Sequence, residues 1–108
     1  YPTAVEYMKR EWEECAQSGI TYFPHVSLGW DANPRFAHYD PNVLRENTPE
    51  NVEKAFRLAR EFVDRNSSNP PLIIINSWNE WTEGSYFEPD DLYGYGYLKA
   101  AKRVFLDK

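Results

Sequence analysis

The chain has 108 residues, of which 42% are hydrophobic, 17% aromatic and 27% charged, a globular composition sized for one domain at most. Seventeen acidic against twelve basic residues leave a net charge of −5, which argues against a nucleic-acid partner, since such surfaces need a basic stripe. No apolar run approaches the ~20 residues of a membrane span, and Cys15, the only cysteine, has no intrachain disulfide partner.

The start carries no signal-peptide pattern, but Tyr1 is not an initiating residue, so an N-terminal part is expected to be missing. Residues 3–17 predict a helix. Val5, Met8, Trp12 and Cys15 recur at helical spacing, Pro2 suits the first turn and Gly19 the stop. "ITYFPHVSLG" follows, a strand-like run rich in β-branched and aromatic residues. Pro24 cannot donate to a ladder, so pairing is expected at His25–Leu28, or Pro24 sits at an unpaired point. His25 itself reads as a hydrogen-bonded core residue.

Residues 29–47, "GWDANPRFAHYDPNVLREN", show neither the helical nor the strand period. A loop this long in a compact domain is usually functional or disordered, and Trp30, Phe36 and Tyr39 argue against disorder. Thr48–Pro49 then announces a helix, a hydroxyl at the cap and proline in the first turn. Val52, Ala55, Phe56, Ala59, Phe62 and Val63 form its inner face. Glu53–Arg57, Arg57–Glu61 and Glu61–Arg65 stand i,i+4 on the outer one. "NPP" at 69–71 breaks the chain, and Leu72–Ile75 has the unbroken aliphatic character of a parallel strand buried on both faces. A last helix is marked by Tyr97, Leu98, Ala101, Val104 and Phe105, with Tyr93, Tyr95 and Tyr97 packing its start.

Strands alternating with helices imply parallel pairing. Two parallel strands cannot cover both their own faces, and both long loops follow a strand and carry the polar and aromatic residues. That is the layout of a (β/α)8 barrel, whose active sites lie on the loops after the strand C-termini. The expected fold class is α/β: two parallel strands with three helices from the C-terminal portion of such a barrel, with residues 1–108 one fragment of a single domain. A self-contained small α/β domain is the alternative.

The segment after the second strand, "NSWNEWTEGSYFEPD", is crowded with carboxylates and rings. Glu80 and Glu83 are three apart. On a continuous strand they would face opposite ways, whereas in a curled turn they share a side, with Cβ atoms roughly 5–6 Å apart. Carboxyls about 5–5.5 Å apart are the arrangement of retaining glycosidases; inverting enzymes leave ~6.5–9.5 Å for a water. Crowding two like charges favours a proton on one of them, which separates an acid from a base. Trp78 and Trp81 supply apolar walls or stacking faces for sugar rings, and Gly84 permits a tight turn. A solvated ExxE helix face is the bland reading. The flanking tryptophans weigh against it.

"WNEWTEGSYFEPD…YGYGYL" resembles the C-terminal signature of glycoside hydrolase family 99-like proteins, which include endo-acting α-mannosidases and a polysaccharide-biosynthesis branch called WbsX. "GWDANPR" at 29–35 is similar to an element of the WbsX-like branch. The resemblance implies a (β/α)8 barrel in which both glutamates of NEWxEG are catalytic. Glu80 then matches the base that deprotonates the sugar 2-hydroxyl, giving a 1,2-anhydro intermediate with net retention. Glu83 matches the acid/base that protonates the leaving oxygen and then activates water. Thr82 stands where the classical endomannosidases usually carry histidine, and their first loop differs from GWDANPR. The catalytic chemistry is thus expected to transfer while mannose specificity is not.

Trp30, Asp31, Arg35, Trp78, Asn79, Trp81 and Glu88 are the expected substrate-binding residues. Asp31 and Arg35 form either a fork for sugar hydroxyls or a loop-pinning ion pair. Asp31, His38 and Asp40 lack metal-site spacing and read as turn chemistry; no metal or other cofactor is expected. Glu88, Asp90 and Asp91 suit the cap of the last helix, and "NSS" at 66–68 matches a glycosylation acceptor. The leading expectation is a retaining hydrolase, endo-acting on an α-linked oligosaccharide or polysaccharide. The alternatives are a WbsX-like glycosyltransferase with an activated donor and a non-catalytic carbohydrate-binding barrel. The hydrolase implies an extracytoplasmic location, the transferase a cytoplasmic one. The remainder of the barrel, or another copy of the chain, is the expected protein partner.

Overall fold

The computed structural model describes residues 1–35, 37–66 and 68–107. Phe36, and Ser67 of the NSS triplet, lie outside the described residues.

Helix α1 spans Pro2–Gln17, with proline in its first turn as expected. Its helical spacing buries Val5 and Trp12 and sets Met8 against the core. Gly19 follows in the left-handed region at φ +81°, where a side chain would be strained. Helix α2 spans Pro49–Arg65 and is capped by Thr48, whose side-chain oxygen accepts from the Asn51 N–H at 3.3 Å. Val52, Ala55, Phe56, Ala59 and Phe62 are buried, and Val63 is half-buried at the rim of that face. On the outer face Glu53 pairs with Arg57 at 3.0 Å, whereas Arg65 reaches across to Glu13 of α1 at 3.6 Å.

Strands β1 (His25–Ser27) and β2 (Ile74–Asn76) pair in parallel, with His25 opposite Ile74 and Ser27 opposite Asn76. Pro24 uses the one backbone group it has: its carbonyl accepts from the Ile74 N–H at 3.0 Å, and the ladder closes with Leu28 N–H to the Asn76 carbonyl at 2.9 Å. The alternation of β1 buries Val26 and Leu28 and turns His25 outward, so His25 is a surface residue rather than the core residue expected. Ile75 of β2 and Ile73 just before it pack on the core, but Ile74 is 50% exposed. The aliphatic run therefore has one bare face and is not covered on both.

Residues 77–87 form a second, antiparallel pair, β3 (Asn79–Glu80) with β4 (Ser85–Tyr86), which the mixed composition of this segment concealed. The last helix, α3 (Gly96–Ala101), runs on into a wider turn over Lys102–Leu106 that buries Val104. The core lies between the β1–β2 pair and the helices, with Phe56 at its centre. Its ring tilts against Phe105 at 5.5 Å and meets Phe87 edge-on at 6.1 Å, while Trp12 packs on Phe62 at 6.0 Å. Aromatic pairs in this geometry add about 0.5–1.5 kcal/mol beyond the area they bury. The fold is thus a small α/β unit of three helices around one parallel strand pair, with both strand-to-helix loops leaving from the same end.

Candidate active site

The loop after β1 and the loop after β2 meet backbone to backbone. The Asp31 N–H donates to the Glu83 carbonyl at 2.6 Å. Gly29 lies so close to the second loop that an added Cβ would stand 2.5 Å from the Gly84 carbonyl oxygen. Gly84 adopts φ +61°, and a Cβ there would stand 3.0 Å from that of Asp31. These two glycines are what lets the loops touch. The far end of the first loop is pinned by Asn47, whose side-chain amide donates to the Leu28 carbonyl at 2.9 Å and whose own carbonyl accepts from the Tyr97 hydroxyl at 2.6 Å. Burial holds the Tyr97 phenol above its ordinary range, so it stays a donor across the physiological range.

The chain leaves β2 at Asn76 and turns at once. Ser77 and Ser85 tie this bend together: Ser77 Oγ donates to the Ser85 carbonyl and Ser85 Oγ to the Asn76 carbonyl, each at 2.8 Å. β3 carries Asn79 and Glu80, and a 3-10 turn over Trp81–Glu83 then swings the second glutamate round. The curl expected from the shift to polar and aromatic residues is present, and Arg35 is where both carboxylates converge. One guanidinium nitrogen of Arg35 lies 3.3 Å from Glu80 Oε2, the other 3.6 Å from Glu83 Oε2, and Nε donates to Thr82 Oγ1 at 2.8 Å. Glu83 is the more enclosed, its side chain 23% exposed against 46% for Glu80.

Arg35 does not pair with Asp31. The Asp31 carboxylate accepts from the backbone N–H of Asn33 at 2.9 Å and from its side-chain amide at 2.7 Å, shaping the Asn33–Arg35 turn that presents the arginine. The loop-pinning ion pair expected between Asp31 and Arg35 is not formed, because Asp31 is taken up by Asn33 and Arg35 by Thr82, Glu80 and Glu83. Asp40 accepts from the Asn42 N–H at 2.9 Å, the turn chemistry expected of it. His38 is exposed, and lines with Asp31, Asn33, Tyr39, Val43 and Arg45 a cleft of about 400 Å³. A larger hollow of about 600 Å³ lies away from the carboxylates, between α1 and residues 43–45, and is mainly apolar.

The aromatic wall is built by the second loop. Trp81 stacks on Tyr86 at 4.0 Å and 15°, and its indole N–H donates to Glu88 Oε1 at 2.9 Å. Trp78 rests edge-on against Phe87 at 6.0 Å, with 53% of its surface exposed. Trp30 is also exposed, at the start of the first loop, and Asn79 is exposed in β3. Asp90 does not cap α3. It accepts from the Tyr86 hydroxyl and the Tyr93 N–H instead, and Tyr95 precedes the helix with no side-chain cap. Thr82 and Tyr86 are the site neighbours that the sequence did not mark as such. The one available signal was the departure from histidine at Thr82.

The family model for Glycosyltransferase WbsX matches residues 1–101. Two relatives named "Uncharacterized protein WxcX", from Xanthomonas campestris pv. campestris strains B100 and ATCC 33913, are each 32% identical over 104 residues. The match covers 90% of this chain, and this chain spans 14% of the length of either relative. No solved structure matches.

Proposed function

We propose that this chain, which belongs to the WbsX glycosyltransferase family, carries the catalytic corner of a retaining, endo-acting glycoside hydrolase for an α-linked glycan. The observation that carries the reading is the convergence of Glu80 and Glu83 on Arg35, beside two exposed tryptophans, where the two strand-to-helix loops meet. A carbohydrate-active family and an acid/base pair against ring-stacking faces fit glycosidic-bond chemistry. In this scheme Glu80 takes the proton of the 2-hydroxyl, O2 closes on C1 and Glu83 protonates the departing oxygen. Glu83 then takes a proton from water as it opens the 1,2-anhydro ring, and Glu80 returns the proton to O2. Trp30, Trp78 and Trp81 flank the sugar, Asn79 and Glu88 offer polar contacts, and Asp31 shapes the turn carrying Arg35.

In the complete protein, β1 and β2 belong to a (β/α)8 barrel. Parallel pairing, with both following loops joined at one end, is the geometry such a barrel uses for its active face.

The family's own description names a glycosyltransferase, which favours a second reading, a transferase that assembles a polysaccharide instead of cleaving one. Against it, Glu80 and Glu83 share the one guanidinium of Arg35, a balance that suits a neutral glycan better than the phosphates of an activated donor. A purely carbohydrate-binding barrel has no use for both glutamates. The deciding assay incubates the intact protein with a panel of α-linked glycans and, separately, with nucleotide- and lipid-linked sugars. Release of reducing ends from a glycan, lost in Glu83→Gln, supports the hydrolase. Turnover of an activated donor with no glycan hydrolysis hands the case to the transferase.

A further inference from the structure

We infer that the cleft of about 400 Å³ lined by Asp31, Tyr39, Val43 and Arg45 is a second sugar subsite, which takes a neutral neighbouring residue of the same glycan. The inference deepens the proposed function and rests on it for its catalytic meaning; the binding itself does not need it. Position carries the first part. Asp31 belongs to both places: its backbone N–H meets the Glu83 carbonyl at 2.6 Å, and the residue also lines the cleft. A glycan cut at an internal bond has to continue past the cutting point, and here a polar and aromatic surface continues from it. The larger hollow beside α1 shares no residue with the Glu80–Arg35–Glu83 corner and is mainly apolar.

The cleft is also built. The Leu44 N–H donates to the Trp30 carbonyl at 2.8 Å, which ties together the two ends of the stretch that supplies Asp31 and Tyr39. Inside that tie, the Asn33 amide donates to the Asp40 carbonyl at 2.9 Å. Walls held in place beforehand lose less freedom on binding, and the volume falls within the ~300–1,000 Å³ of small-molecule sites. Its chemistry is that of a sugar contact. Tyr39 is 62% exposed, and its hydroxyl accepts from the Arg45 guanidinium at 3.2 Å, which steadies the ring. The electron-rich face of such a ring suits the C–H side of a sugar. Both Asn33 contacts to Asp31 fall on Oδ1, so Oδ2 is the oxygen offered to a hydroxyl. Arg45 supplies donors. An acidic sugar would gain from Arg45 and lose to Asp31, whereas a hydroxyl-bearing neutral one gains from both.

The test measures binding, using the intact protein carrying Glu83→Gln so that no glycan is consumed. Its tyrosine rings are labelled with ¹³C, and the Tyr39 signal is assigned by its loss in Tyr39→Ala. The probes are α-linked gluco- and manno-oligosaccharides of one to four sugars, with α-linked oligogalacturonates as acidic counterparts. The Tyr39 signal is expected to move with the longer members of a neutral series and not with the monosaccharide. Tyr39→Ala and Arg45→Met should each weaken that binding by about 3–30-fold, the worth of one or two good contacts. Both side chains are exposed, so neither change threatens the fold. Tyr39→Phe keeps the ring face and should keep most of the affinity. Tyr7→Ala, an equally exposed ring on the other hollow, should leave Kd unchanged. A longer glycan that binds with Tyr39 unmoved and the same Kd in both variants overturns the inference. So does tighter binding of the acidic probes, or no binding by any neutral one. Binding through Tyr39 by a wild type that cleaves nothing would sink the hydrolase reading and leave the subsite standing. Hydrolysis lost in Glu83→Gln, with Tyr39 unmoved, would keep the hydrolase and remove the subsite.

Discussion

The proposed mechanism gives Glu80 and Glu83 different tasks, so under it their amides should fail differently. Glu83→Gln keeps the shape and removes the transferable proton. Hydrolysis of the protein's glycan is expected to fall by about 10²–10⁴-fold with binding nearly intact. A substrate with a very good leaving group should partly rescue it, since the departing oxygen then needs no proton. Glu80→Gln should be similarly damaging but resist that rescue, because the 2-hydroxyl still lacks its base. Equal rescue of both, measured as kcat on activated and unactivated substrates, would reverse or cancel the assignment. A second expectation concerns Gly29. Alanine there puts a Cβ 2.5 Å from the Gly84 carbonyl oxygen and the Asn47 amide, so the loops must part. Gly29→Ala is expected to cost about 1–3 kcal/mol, as overpacking does, and to lower activity together with the denaturation midpoint. An unchanged midpoint would mean that the loops are not clasped. The glutamate pair was legible in the sequence because carboxylates between tryptophans have few structural uses. Its arginine partner was not, because Arg35 lies 45 residues from Glu80 and nothing local distinguishes that pairing from one with Asp31.

At the scale of elements, the helices were the most readable. The α2 pattern of Thr48–Pro49 followed by apolar residues at helical spacing encodes its start and its buried face in one stretch of chain. The second loop was less readable, because β3 and β4 are each two residues long and their pairing depends on the turn between them. Outer-face ion pairs were only partly legible, since long side chains choose among neighbours from other elements. Glu53 is such a case: it binds Arg57 of its own helix and Arg103 of the turn after α3. The hydrogen-bonded Arg103 guanidinium, with Arg57 adding to it and burial opposing, holds the Glu53 carboxyl below the ordinary carboxylate range. Because the folded value is the lower one, the contribution is present above the unfolded value of about 4.3. It is lost as the pH falls through the folded value. Glu53→Gln is therefore expected to cost less than about 1 kcal/mol near neutrality, the range of surface pairs. Its penalty should shrink toward zero as denaturation is repeated at progressively more acid pH. A penalty independent of pH would show that the carboxylate charge is not what joins α2 to α3.

For the molecule as a whole, the last expectation follows from the sheet. Each of β1 and β2 finds one partner, so among the described residues each keeps an outer edge whose backbone groups have no strand beside them. The bare face of β2 adds Ile74 at 50% exposure, with Leu72 at 54% just before it and Ile20 at 57% ahead of β1. A two-stranded sheet is marginal in water unless helices or further strands cover it, and here the helices cover one side. If residues 1–108 are two units of a barrel, neighbouring strands complete those edges, and the isolated segment should behave as a sticky piece rather than a domain. Expressed alone, it is expected to self-associate in sedimentation equilibrium and to melt over a broad, weakly cooperative range. Joined to its barrel, the same segment should melt with the whole. The opposite outcome, a compact monomer of 108 residues with a sharp, reversible transition, would mean that the parallel pair is self-sufficient. It would also leave the Glu80–Arg35–Glu83 cluster to be explained on a small α/β domain, since nothing in its contacts needs the rest of a barrel.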